Sequence, residues 1–167
     1  AAKWQKIADL LGTARAQHTA TLLQTGQVLA AGGVYGLGAL NNVEIYEPST
    51  RQWSNAPGNL IMGRYAHSAN LLKDGRVLVT GGSSGTQPLK SAEIYNGINW
   101  TYTTNFPATG WGNDMDTPRA NHTSTVLPNG KVLVSGGEGP SVSRGSAEGF
   151  DVDFSTWQHQ GTMGKRT

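Results

Sequence analysis

One stretch recurs three times in this chain. It reads RAQHTATLLQTGQVLAAGG at 15–33, RYAHSANLLKDGRVLVTGG at 64–82 and RANHTSTVLPNGKVLVSGG at 119–137. Each copy is two short apolar runs joined by a turn and closed by a pair of glycines. A third run follows at a fixed offset (VEIYEP, AEIYN, AEGFDV) and places Glu44, Glu93 and Glu148 at equivalent points. A fourth carries Trp53, Trp100 and Trp157. Four short strand-like runs repeated every ~50 residues are the signature of propeller blades among known repeat architectures.

Turn chemistry agrees with a sheet built of hairpins. The first two runs are linked at Asp74-Gly75 and Asn129-Gly130, with Thr25-Gly26 as the weaker version. Such dipeptides favour two-residue type I′ turns. VLAA, VLVT and VLVS are continuous apolar runs of the kind buried on both faces. The expectation is an all-β chain of three four-stranded antiparallel blades in a single domain, 1–167. The blades cover approximately 11–59, 60–105 and 115–162, with an inserted loop at 106–114. Residues 1–10, which contain Trp4, are expected to be the outer strand of a preceding or closing blade. The closing MGKRT aligns with Met62-Gly63-Arg64, so both ends are expected to be cut from a longer array.

The combination R-x-x-H, G-x-V-L, GG, E-[IG]-[YF] and a closing Trp, present in three copies, resembles the kelch repeat. HTATLL and KVLVSGG resemble bacterial kelch proteins related to the galactose oxidase propeller. The resemblance implies blades packed around an axis, strand A innermost and strand D outermost, in rings that usually close with six or seven blades. The galactose oxidase branch also implies a copper centre with His and Tyr ligands and a Tyr crosslinked to Cys. This chain has no Cys, and three of its four histidines hold repeat positions, leaving His159 as the one imidazole outside the pattern.

Composition narrows the partners. Lys and Arg total 13 against 11 Asp and Glu, a net charge of +2 with no basic run, so neither nucleic acid nor a polybasic membrane contact is indicated. No apolar run reaches the length of a membrane-spanning helix. The low charged fraction, 14%, and the many turns suit a secreted or extracellular protein.

In an antiparallel blade the A–B and C–D turns lie at one end, and the B–C and D–A connections at the other. The B–C connections are VYGLGALNN, SSGTQPLK and EGPSVSRGS, and the D–A connection lengthens to TYTTNFPATGWGNDMDTP before Arg119. These variable loops share one face, the expected binding surface, because function concentrates on loops held by a rigid scaffold.

The repeated polar residues read as scaffold. His18, His67 and His122 stand three residues after Arg15, Arg64 and Arg119, and each is expected to make a hydrogen bond inside its own blade. They are not expected to form a metal site, because equivalent positions on successive blades diverge. Glu44, Glu93 and Glu148 are expected to satisfy buried donors, the repeat arginines or backbone N–H groups. The pairs Gly32-Gly33, Gly81-Gly82 and Gly136-Gly137 are expected to serve the backbone through positive φ or close approach. Asp151 and Asp153 read as a solvated turn. Asn99-Trp100-Thr101 and Asn121-His122-Thr123 match glycosylation sequons, read as coincidental.

The candidate ligand-binding residues are Tyr35 and the unrepeated cluster Trp111, Asn113, Asp114 and Asp116, beside Tyr102 and Phe106. An aromatic ring next to amide and carboxylate groups can stack on and hydrogen-bond a sugar, or coordinate Ca²⁺ through oxygens. No catalytic residue, resident metal or other cofactor is expected. The favoured reading is a non-catalytic binding or scaffold module that presents its loop face to a protein or glycan, as half of a dimer-closed propeller or a fragment of a larger one. The alternative is part of a secreted carbohydrate-active or galactose-oxidase-like enzyme with catalytic residues outside this chain.

Overall fold

A computed structural model describes residues 12–103, 114–140, 145–153 and 155–162. The expected outer strand at 1–10 lies outside these residues, as does 106–113 of the expected insertion. Blade 1 consists of β1 (Thr19–Leu22), β2 (Val28–Ala31), β5 (Val43–Glu47) and β6 (Gln52–Asn55). A small hairpin, β3 (Val34–Tyr35) and β4 (Gly38–Ala39), lies within its B–C connection. Blade 2 is β7 (Ser68–Leu71), β8 (Val77–Thr80), β9 (Ala92–Tyr95) and β10 (Trp100–Tyr102). Blade 3 is β11 (Thr123–Val126), β12 (Val132–Ser135), β13 (Ser146–Asp151) and β14 (Thr156–Thr162). All three are four-stranded, antiparallel and ordered as in the sequence, and no helix occurs among the described residues.

The A–B hairpins differ from the two-residue turns expected. In blade 2 Leu72 N–H donates to Arg76 O and Gly75 N–H to Leu72 O. Only Gly75, not Asp74, has positive φ. The loop is therefore three residues long, a type I turn closed by a left-handed glycine. Asp74 stabilises it by accepting the Arg76 N–H.

The repeated Arg and Glu form one buried network per blade. Arg64 and Glu93 side chains are both fully buried and pair at 2.5 Å. Glu93 also accepts the N–H groups of Ile61 and Met62 at 2.7 and 3.0 Å. Arg64 donates onward to the carbonyls of Gly81 and Ser91. The same network recurs with Arg15, Glu44 and the Gly12 and Thr13 N–H groups, and with Arg119, Glu148 and those of Asp116 and Thr117. Each pins the segment running into strand A against strand C of the same blade. At the outer edge Tyr46–Trp53, Tyr95–Trp100 and Phe150–Trp157 pair across strands C and D, ring centroids 5.0–5.2 Å apart.

Two apolar clusters fill the spaces between blades. Leu29, Ala31 and Val43 meet Val77, Val79 and Tyr95 between blades 1 and 2. Leu78 and Ile94 meet Val132, Val134 and Phe150 between blades 2 and 3. The glycine pairs set the closeness of this packing. Gly81 and Gly82 have φ of 55° and 93°, and a Cβ on Gly81 would lie 2.4 Å from the Arg119 carbonyl of the next blade. Gly82 N–H donates to that carbonyl, as Gly33 N–H does to Arg64 O.

The histidines correct the expectation of bonds within a blade. His67 Nε2 shares a 2.8 Å hydrogen bond with Thr19 Oγ1 of blade 1, and His122 Nε2 one of the same length with Thr80 Oγ1 of blade 2. Each imidazole projects from strand A into the gap between sheets, where the nearest hydroxyl belongs to the preceding blade. Asp151 departs from the expected solvated turn: it is buried and ion-paired with Lys131 at 2.8 Å, while Asp153 stays exposed.

Replacing Glu93 by Gln leaves the Arg64 guanidinium buried without its counter-charge, a change that costs about 3–5 kcal/mol. Urea unfolding should show that loss, whereas Asp74→Asn, which removes an exposed pair with Arg76, should change stability by less than about 1 kcal/mol.

Candidate functional site

Strand A runs from the B–C end of each blade to the hairpin end, because Thr19, Ser68 and Thr123 pair with the last residues of strand B. The two ends of the array are therefore built differently. At the hairpin end, three-residue A–B loops and the C–D turns give a low relief. A cavity of about 130 Å³ lies there between blades 2 and 3, lined by Lys73, Asn129, Lys131, Asp151 and Asp153 among others. Within it Lys131 pairs with Asp151, and the Lys73 ammonium donates to Pro128 O.

The opposite end carries the long connections, and short bridges stiffen it. Ala16 pairs with Val34, Tyr65 with Ser83 and Ala120 with Glu138, tying the start of each strand A to the residue after its glycine pair. Gln17, Ala66 and Asn121, one position before each His, have φ of 56°, 52° and 53°. Left-handed backbone is unusual for a residue with a Cβ. Here it lets Ala66 N–H reach Gln17 O and Asn121 N–H reach Ala66 O, an arc of backbone hydrogen bonds crossing all three blades.

On this stiffened face the β3–β4 hairpin holds out Tyr35 and Leu37, the latter fully exposed. The D–A segment runs alongside, with Leu60 N–H donating to Asn41 O and Arg64 N–H to Leu40 O. Leu60 is buried, but Ile61 and Met62 are exposed. Their N–H groups are held by Glu93, which fixes the backbone while the side chains face water. Of the six exposed large apolar residues described, Tyr35, Leu37, Ile61 and Met62 lie on this face; Leu22 and Ile98 lie at the hairpin end.

Of the residues singled out from sequence, Tyr35 sits at the tip of this hairpin. Trp111 and Asn113 lie outside the described residues. Asp114 and Asp116 enter blade 3 from the insertion: Asp114 faces Lys90 at 3.8 Å, and Asp116 donates its N–H to Glu148. Met115 between them is buried in the core between blades 2 and 3. Tyr35 thus stands on blade 1, and the two aspartates stand between blades 2 and 3. Leu37, Ile61 and Met62 were not indicated by sequence, although the alternation in VYGLGA around Gly36 is a signal for the short hairpin.

Comparison with known proteins agrees with this architecture. Residues 14–59 match the Kelch motif. No curated protein matches the sequence. The solved structure of YjhT, a bacterial kelch protein, is similar with a TM-score of 0.74 at 18% identity, over 96% of this chain. The chain spans 56% of the YjhT chain, a little over half its length. The fold is that of a kelch-type β-propeller, with three blades among the described residues.

Between the blades the histidines are held neutral. Burial, reinforced by the neighbouring Arg64, lowers the pKa of His67 to about 3, and burial with Arg119 lowers that of His122 to about 4. In the unfolded chain both protonate near 6.5. Between those limits the unfolded state binds more protons, so stability falls as the pH is lowered from about 6.5 to about 4, by up to ~1.4 kcal/mol per pH unit for each histidine. Melting temperatures across this window should fall more steeply for the wild type than for a His67→Gln, His122→Gln double variant.

Proposed function

We propose that this chain is a non-catalytic binding module that presents the loop face of a kelch-type propeller segment to a partner protein. The observation that carries the reading is the collection of Tyr35, Leu37, Ile61 and Met62 on that face. Large exposed apolar side chains on a rigid support mark contact surfaces, and aromatic anchors such as Tyr dominate their energetics. Three repeated carboxylates are engaged with Arg and backbone N–H groups, Asp151 with Lys131, and Asp114 faces Lys90, which supports a structural role for these acids. The Kelch motif at 14–59 lends the same support, since such repeats generally mediate protein interactions.

A photo-crosslinking residue placed at Leu37 should capture partner protein from extracts of the native host, and one placed at Ile98 on the opposite end should not. Capture from Leu37 should fall at least ~10-fold on Tyr35→Ser and Ile61→Ser substitution, the loss typical of truncating interface anchors. The melting temperature should stay unchanged, because these side chains are exposed. Equal capture from both ends would overturn the reading. Glycan binding lost on Tyr35→Ser, without protein crosslinks, would put carbohydrate in place of protein.

A further inference from the structure

Asp or Asn precedes Gly at three turns of the hairpin end: Asp74-Gly75 and Asn129-Gly130 in the A–B loops of blades 2 and 3, and Asn96-Gly97 in the C–D turn of blade 2. An Asn followed by Gly is open to attack by its own backbone, because glycine has no Cβ to shield the amide nitrogen that closes a five-membered ring on the side-chain carbonyl carbon. The fold treats the three pairs unequally. Gly75 N–H donates to Leu72 O at 3.0 Å, and Gly130 N–H to Leu127 O at 2.9 Å. Gly97 N–H donates to no group among the described residues.

The carbonyl under attack differs as well. Asn96 Oδ1 accepts two backbone N–H groups, from Ile98 at 3.0 Å and from Asn99 at 2.8 Å. Its carboxamide is therefore folded forward along the turn, toward the Gly97 peptide. Both donors favour negative charge on Oδ1, the atom that gains it when the carbon is attacked, as donors do in an oxyanion hole. Asn129 Oδ1 accepts one such group, from Lys131 at 3.1 Å. Asp74 is ion-paired with Arg76, and an ionised carboxylate resists a nucleophile. Asn96, Gly97, Ile98 and Asn99 are all exposed, so water reaches the pair.

We propose that Asn96 is a site of spontaneous covalent modification, deamidating through a succinimide, and that the rearranged product unties the outer edge of blade 2. Hydroxide takes the Gly97 N–H proton as that nitrogen bonds to Asn96 Cγ. The Cγ–Nδ2 bond then breaks, and ammonia leaves with a proton from water, which restores the hydroxide. A second water opens the ring. Cleavage of the nitrogen's bond to Cγ gives aspartate; cleavage of its bond to the main-chain carbonyl carbon gives isoaspartate, with the backbone rerouted through Cβ. Aspartate keeps the oxygen that accepts from Ile98 and Asn99. Isoaspartate adds a methylene to the main chain between Tyr95 and Gly97. At that point the Tyr95 hydroxyl donates to Gly97 O at 2.9 Å, and the Tyr95 ring stacks on Trp100 at 5.0 Å across the β9–β10 pairing. A longer chain there cannot keep both contacts in register.

In the purified full chain, held in neutral buffer at physiological temperature, Asn96 should convert at least ~5-fold faster than Asn129, the factor that breaking one hydrogen bond puts on a rate. Tandem mass spectrometry of peptides cut after Lys and Arg resolves the two sites, and labelling by an isoaspartate methyltransferase counts the rerouted product. In urea, where both turns are lost, the two asparagines should react at similar rates. The isoaspartate fraction of aged protein should melt below both the fresh chain and an Asn96→Asp variant. Equal rates in the folded chain, or a rate ratio unchanged by urea, would overturn the assignment of the site. An isoaspartate form that melts with Asn96→Asp would overturn the untying of the edge.

Discussion

The pairing of a buried guanidinium with a buried carboxylate is the interaction on which each blade depends. Removing both charges from water is costly, and the geometry offsets that cost only because further hydrogen bonds surround the pair. Glu93 accepts from Arg64 and from two backbone N–H groups; Arg64 also donates to three carbonyls and the Ser91 hydroxyl. None of these groups can shift by a residue without stranding a charge. The network therefore fixes the register in which the chain, after crossing from the outer edge of one blade, starts the inner strand of the next. The glycine pair then allows the following blade to approach at backbone distance.

That division of labour separates the two ends of the array. The hairpin end is made of short turns whose charges are spent locally, as in Asp74 with Arg76 and Lys131 with Asp151. The loop end has its backbone secured by the ion-pair networks and by the arc through Gln17, Ala66 and Asn121. Side chains there are released from structural duty. Ile61 and Met62 illustrate the point: their main chain is fixed by Glu93, and their side chains remain exposed.

The scaffold was legible because it is written three times. Arg15, Glu44, Gly32 and Trp53 recur with their counterparts at nearly fixed offsets, and repetition separates rule from accident. The histidine contact was not legible in the same way. Its partner lies on another blade and at either of two facing positions, so no constant spacing marks it. The apolar loop face was half legible. Tyr35 stood out in a polar loop, but nothing in the sequence set Ile61 and Met62 apart from the buried Leu60 beside them, and their exposure shows only in the structure. Asp151 was misread together with Asp153 because a pair of carboxylates beside a turn gives no hint of a lysine brought in from the A–B hairpin.

The hydroxyl that meets each histidine has a consequence for how such a chain can vary. In blade 1 it is Thr19 on β1, opposite Ala31; in blade 2 it is Thr80 on β8, opposite Ser68. The requirement thus falls on a facing pair of residues, not on one site. Either member can drift to alanine while the other keeps its oxygen, so loss at one position is silent and loss at both is not. Where strand B supplies the oxygen, the inner hydroxyl is spare. Ser68 uses that freedom to bond Ser124 of the next blade at 2.6 Å. Redundancy at the gap between sheets becomes a tie between the inner strands.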